Sequence, residues 1–397
     1  MDLYEYCNVT VITFLVVIYP VIELKDLIYA HRYGWLNALL SVTNGIVIRP
    51  EPLLGSIFRR GFSVKDYLVQ QGLPQNTLNR LLIMLDHGIN SPSFSRVFNL
   101  EKTPKNIVYV YHSLGVDMGI AFDVPARVYM SIVVDLAMND STETEIEPVI
   151  KDVVRELAYL VKKEVIKRGG KNKILRQKAL KIIKNDNGAI LELLRELSRR
   201  CVEETVKRLS EMVEHAGKLG FKGLVPVVQG IFDDDIEYCA RESIEIMSQL
   251  SKEFTIAIGT GGRVLSNRDV KAIKLAIDAI KKHSSRQGAS IKIHLLGWSS
   301  PNRLRDYEVV KSIYSADSLS ARRRAIEGRI YVLNNGELKL VNVKELRGQN
   351  YTCPCPACKN PVLREFLLDP SGARRNDVRI VHNIYTITKY LNTINRT

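Results

Sequence analysis

Eight short apolar runs, most of them rich in β-branched residues, recur along this chain and constrain its fold more than any other feature. They occupy residues 9–19, 45–48, 81–85, 118–122, 224–228, 254–258, 291–296 and 311–316. Continuous apolar runs of this length suit strands buried on both faces, as in parallel sheets. Amphipathic helical patterns lie between most of them. Residues 234–250 carry Ile236, Ala240, Ile244, Met247 and Leu250 near a 3.6-residue period. Residues 267–282 turn Val270, Ile273, Leu275, Ala276 and Ile280 inward behind Asn267, a good N-cap. This alternation predicts an α/β chain, specifically a (β/α)8 TIM barrel, with a doubly wound open sheet as the alternative. At 397 residues the chain is long enough for such a barrel.

The first run is the one segment that invites a membrane reading. Pro20 interrupts it, Glu23 and Asp26 end it, and it falls short of the ~20 residues a spanning helix needs. Asp2 and Glu5 stand where a secretory signal would place positive charge. The expectation is therefore a cytoplasmic protein with no membrane partner.

The interval 125–223 is too long for one crossover helix and predicts a helical insertion at about 150–215. Within it, residues 161–185 hold ten Lys or Arg against the single acid Glu164. A charge run on a helix is usually a solvated face, but one so poorly compensated favours contact with phosphates. The whole chain points the same way, with 57 Lys plus Arg against 43 Asp plus Glu and a net charge of +14. Nucleic acid is the first polyanion to consider, and a basic surface serving only solubility is the plain alternative.

Six Cys are present, and three crowd into Cys353-Pro-Cys355-Pro-Ala-Cys358, with His382 following after 23 residues. Three thiolates and an imidazole close a tetrahedron around Zn²⁺ and leave no position for water, so the role is structural. Redox-active or incidental cysteines are the alternative. Cys7, Cys201 and Cys239 sit in apolar or helical stretches and read as buried hydrophobes. The predicted division is a barrel over residues 1–345 and a zinc-binding subdomain over 346–397.

In a barrel, active-site residues lie just past the strand C-termini. Those positions hold Asp86-His87-Gly88, Asp123-Val124-Pro125, Gln229-Gly230, Gly259-Thr260-Gly261-Gly262, Gly297-Trp298 and Asp317-Ser318. Three carboxylates, an amide and several glycines at one mouth suit a planar base and glycosidic chemistry. Singly, each Asp is as well suited to capping a helix.

These motifs together resemble the tRNA-guanine transglycosylases, zinc-containing (β/α)8 barrels that exchange guanine in RNA for a 7-deazaguanine base. The resemblance covers about residues 80–385. It rests on residues 114–125 ending in Asp123-Val-Pro, which look like the archaeal branch, and on Pro226-Val-Val-Gln-Gly230. It also rests on His294-Leu-Leu-Gly-Trp-Ser-Ser-Pro301, Ser315-Ala-Asp-Ser-Leu-Ser320, the Cys-x-Cys-x2-Cys knuckle and His382-Asn-Ile-Tyr385. It implies that Asp317 is the nucleophile of a double displacement through a covalent intermediate. It further implies that Asp86 handles protons, and that Asp123, Gln229, Gly230, Gly259, Thr260 and Gly261 bind the base. Zn²⁺ is the one cofactor implied. The partners implied are nucleic acid and the 7-deazaguanine, with a homodimer or a separate RNA-binding chain as further expectations.

Departures from the family pattern bear on substrate. Asp86-His87-Gly88 replaces Asp-Ser-Gly, so His87 reads either as an additional proton handler or as packing. Trp298 replaces a small residue and reads equally as a base-stacking or a packing side chain. The sequence ends 15 residues after His382, without the C-terminal RNA-binding domains of archaeal relatives. tRNA is favoured as substrate, with DNA as the alternative. A non-catalytic zinc-binding partner subunit is the alternative from outside enzymology.

Overall fold

Among the described residues, nine parallel strand segments organise the chain, each supplied by one of the apolar runs. The computed structural model describes residues 17–32, 36–87, 93–139, 146–167, 179, 182–183, 188–259, 268–297, 306–334, 336–346, 351–369 and 376–394. The strands are β1 (Val17–Pro20), β2 (Gly45–Ile48), β3 (Leu82–Leu85), β4 (Met118–Ile120), β5 (Leu224–Val225), β6 (Val227–Val228), β7 (Glu253–Gly259), β8 (Ser290–Leu296) and β9 (Ser315–Ser318). One sheet has the order β2-β3-β4-β5 and the other β1-β9-β8-β7-β6, with every pairing parallel. The fold is α/β with parallel sheets, as the alternation requires.

Two junctions bring the sheets together. Pro226 separates β5 from β6 because it has no N–H for the ladder. Its carbonyl still accepts from Ala257 N at 2.8 Å, while the Val225 carbonyl accepts from Ala121 N at 2.8 Å. This run therefore pairs with both sheets. At the other side Val21 bridges Val47 in parallel, and Ile22 N donates to Val47 O at 3.0 Å.

Apolar burial divides into two clusters. The larger lies between strands and helices. The smaller consists of Tyr19, Val21, Val47, Met84, Ile120, Val225, Val227 and Ala257, drawn from β1 to β7 and the residue after β1. Alternation along a strand sends these side chains to the face opposite the helices. Gly45 makes room there: a Cβ at this position would stand 2.7 Å from the Tyr19 ring.

Helices Asp233–Leu250 and Arg268–Gln287 correspond to the two periodic segments. The inserted region holds helix Lys151–Lys167 and the 31-residue helix Ala189–Leu219, which packs on helices Pro104–Ser113, Lys151–Lys167 and Asp233–Leu250. Most of the basic stretch 161–185 lies outside the described residues, although Ala179, Ile182 and Ile183 are buried. C-terminal to β9 come helix Leu319–Ile326, the antiparallel hairpin β10 (Arg329–Asn334) and β11 (Glu337–Asn342), and helices Pro356–Lys359, Pro361–Leu368 and Asn376–Ile394.

Run 311–316 departs from expectation. Its strand begins only at Ser315, because a short helix Tyr307–Val310 and a turn precede it. Within the run Ile313 is buried as turn packing, beside the buried helix end Val309 and Val310, and a buried turn residue looks in sequence the same as a strand residue. Of run 9–19, residues 9–16 lie outside the described residues. Among the described residues no helix is long and apolar enough to cross a membrane.

Candidate active site and metal centre

Asp317 lies near the end of β9 in parallel register with Tyr19 of β1. It is 4% exposed, and its Oδ1 accepts a hydrogen bond from Gly297 N, just beyond β8. His294 of β8 lies beside it, fully buried, with Nε2 3.6 Å from the same Oδ1. His294 Nδ1 is 2.8 Å from Ser315 Oγ, and its ring stacks on Tyr19 with centroids 5.7 Å apart. A strand that alternates sides points His294, Ser315 and Asp317 towards one another across two neighbouring strands.

Asp86 follows β3 and pairs with Arg49, which follows β2, at 3.2 Å. Asp123 follows β4 and is 2% exposed, with Oδ1 lacking any hydrogen-bond partner among the described residues. Burial first, and then the charge of Asp86, push the Asp123 carboxyl up to about 8, against the opposing pull of the Lys102 ammonium. Asp123 is therefore mostly protonated near neutral pH and can donate as well as accept a hydrogen bond. Lys102 is itself lowered, chiefly by burial, and lies 5.1 Å from the Phe122 ring centroid. His87 is fully buried and stacked on Phe122, with Nδ1 unpartnered. Burial brings it down to about 4, so its imidazole is neutral at physiological pH.

Gln229 follows β6 and is 5% exposed. Its amide nitrogen donates to Val124 O at 2.9 Å and Thr205 Oγ1 at 3.1 Å, while its oxygen accepts from Ala126 N at 3.1 Å. Thr205 Oγ1 also accepts from Val124 N at 2.9 Å and donates to Cys201 O at 2.8 Å. Gln229 and the inserted helix thus clamp the backbone that carries Asp123, and both amide hydrogens are committed to that clamp. Gly230, at φ 154°, extends it by accepting from Arg127 Nε at 3.0 Å. Gly259 ends β7, where a Cβ would stand 3.2 Å from Val227. Thr260, Gly261 and Trp298 lie outside the described residues.

Cys353, Cys355, Cys358 and His382 come together with all ligand atoms within 4.8 Å of one another. His382 is fully buried, and its Nε2 donates to Tyr331 O at 2.8 Å. That bond leaves Nδ1 as the free lone pair, 3.3 Å from Cys355 Sγ and 3.5 Å from Cys358 Sγ. Three soft sulfurs, an oriented imidazole and an outer carbonyl partner make a donor set that fits a tetrahedral metal ion. The adjoining Asn383 accepts from Tyr331 N at 2.8 Å and donates to Ala321 O at 3.1 Å. Arg379 donates to Leu367 O at 2.9 Å, to Ala325 O at 3.4 Å and to Asp369 O. The metal helix is therefore tied to hairpin β10–β11 and to the helix that directly follows β9.

Compared with protein-family models and with curated proteins, the chain matches none.

The predicted residues fall into three places. Asp86 and Asp123 interact electrostatically at the ends of the adjacent strands β3 and β4, Asp317 sits between β8 and β1, and the Cys3His cluster is assembled as expected. His294, Thr205 and Lys102 join the site without being singled out as site residues by the sequence motifs. The signal for His294 is a histidine inside an otherwise largely apolar run, in phase with Asp317. Thr205 and Lys102 carry no comparable signal, because their importance comes from contacts 81 residues away in sequence and from burial.

Proposed function

We propose that this protein is a nucleic-acid guanine transglycosylase built on a (β/α)8 barrel. The observation that carries the reading is the burial of Asp123 and Asp317 at the C-terminal ends of parallel strands, with Asp86 beside the first and an adjoining Cys3His cluster. Ring closure of the two sheets is supported by the Val21–Val47 bridge, by the Pro226 segment that pairs in both directions, and by an inner cluster with side chains from successive strands. A closed ring places all three carboxylates around one mouth.

In this reading Asp317 attacks C1′ of a target guanosine. The C1′–N9 bond breaks, its electron pair leaves with guanine, and a glycosyl ester to Asp317 remains. Asp86, a carboxylate beside Arg49, relays to guanine the proton it takes up from solvent and then removes one from the incoming 7-deazaguanine. The incoming base then attacks C1′ and releases Asp317. Asp123, protonated by its burial, recognises the heterocycle with a donor and an acceptor. Gln229 holds the Asp123 loop rather than the base itself. The metal ion, proposed to be zinc, organises the C-terminal unit and takes no part in these steps.

The +14 charge supports a polyanionic substrate from which the target base is extruded. We favour tRNA over DNA and place the reaction in the cytoplasm. Labelled guanine offered with separate tRNA and DNA pools decides the substrate class by which pool takes up label. Asp317→Asn should reduce incorporation by at least about 10³-fold while leaving the thermal transition within a few degrees. Incorporation that persists in this variant removes Asp317 as nucleophile. No incorporation by the wild type into either pool removes the enzymatic reading in favour of a non-catalytic binding subunit.

A further inference from the structure

The mouth contains a buried group that the proposed reaction does not use. His294 is fully buried, yet its Nε2 has no hydrogen-bond partner among the described residues. Leaving such an atom unsatisfied in a fold is uncommon and asks for an explanation. The atom lies 3.6 Å from Asp317 Oδ1, just beyond a formed hydrogen bond.

We infer that His294 is a positioning residue for Asp317: its Nε2–H and the Gly297 amide hold Oδ1, leaving Oδ2 as the attacking oxygen. This inference rests on Asp317 being the nucleophile. The tautomer follows from electrostatics. With the proton on Nε2, the ring offers a donor to the carboxylate, and Nδ1 accepts from the Ser315 hydroxyl at 2.8 Å. With the proton on Nδ1, the Nε2 lone pair would face carboxylate lone pairs in a water-poor site, which is repulsive. Tyr19 stacks on the imidazole at an interplanar angle of 29° and restricts its swing. The ring is thereby held by Ser315 on its Nδ1 edge and by Tyr19 on one face. The Gly297 and His294 contacts to the carboxylate both fall on Oδ1. Closing the remaining gap by less than 1 Å forms a charge-assisted hydrogen bond. Active-site contacts commonly tighten in this way when substrate binds.

The test has one readout that needs no substrate. In ¹⁵N-histidine-labelled full-length protein, the His294 resonance, assigned by its loss in His294→Gln, should show a protonated Nε2 that moves on Asp317→Asn. A neutral Nδ1–H tautomer unaffected by Asp317→Asn overturns the inference. The second readout is guanine exchange. His294→Phe should lower kcat on the order of ten- to a hundredfold with KM within about twofold, the size expected for losing a hydrogen bond to a charged group. His294→Gln, which keeps an N–H donor, should recover most of that loss. Equal loss in both variants also overturns the inference. Absence of exchange by the wild type counts against the proposed function alone, and the imidazole readout then decides the His294–Asp317 contact by itself.

Discussion

The Cys3His cluster and the polar residues at the strand ends are built in opposite ways. Three of the four metal ligands come from six consecutive residues, and the fourth is delivered by one helix. Its polar atoms are committed: His382 Nε2 bonds Tyr331 O, Asn383 bonds both hairpin and helix, and Arg379 is spread over three carbonyls. The strand-end set draws Asp86, Asp123, Gln229 and Asp317 from separate strands and, among the described residues, includes buried atoms without a hydrogen-bond partner: His87 Nδ1, Asp123 Oδ1 and His294 Nε2. A satisfied cluster stabilises. A cluster that leaves buried polar atoms unpaired gives up stability that a satisfied one keeps. The two therefore differ in how their polar groups are satisfied as well as in construction.

The sharpest way to break this contrast is to remove the metal. Purified protein should hold close to one equivalent, and less than about half an equivalent counts against the Cys3His site. Chelation, or Cys355→Ser, should destabilise the C-terminal unit by at least several kcal/mol. Hydrogen exchange should report this as lost protection in Asn376–Ile394 and, through Asn383 and Arg379, in Leu319–Ile326. If protection persists without metal, the cluster is not structural.

Asp123 tests the opposite property. Its folded carboxyl, raised to about 8, exceeds the ordinary value of 3.8, so the folded state binds the extra proton between those limits. The contribution of Asp123 to stability should therefore fall as pH rises from about 4 to about 8 and then level off. Asp123→Asn removes this contribution, giving a variant whose stability relative to wild type improves with pH by up to a few kcal/mol. Denaturant titrations at pH 5 and pH 8 measure the difference. A constant difference would mean that Asp123 is ionised in the fold.

The smallest effect concerns the clamp. Thr205→Val keeps the shape of the inserted helix but leaves Val124 N without its acceptor. A loss of about 1–2 kcal/mol is expected, with weakened base binding by calorimetry and Asp317 unaffected. Thr205→Ser should restore both. Weaker base binding in Thr205→Val that Thr205→Ser does not restore would mean that the hydroxyl is not what positions Asp123.

Much of the architecture is legible in the residues themselves. Runs 45–48 and 254–258 form strands because short apolar stretches rich in β-branched residues have few other ways to be buried. Run 311–316 misleads because Ile313, ahead of the strand, is buried in a turn with the same apolarity a strand would show. The role of Gln229 is not readable either. An amide beside Gly230 suggests base recognition, and only Val124, Ala126 and Thr205, brought up from distant elements, show that it is already engaged.

By itself, then, the sequence determined the strand–helix alternation, the positive charge and the identity of the four residues in the Cys3His cluster. Each of these is carried by residue type and short-range spacing. Tertiary structure decided which polar groups are satisfied. It committed Gln229 to the Asp123 loop, raised Asp123 by enclosing it near Asp86, and set His294 against Asp317. Satisfaction and desolvation depend on what the folded chain brings within a few ångströms, and no local pattern encodes that.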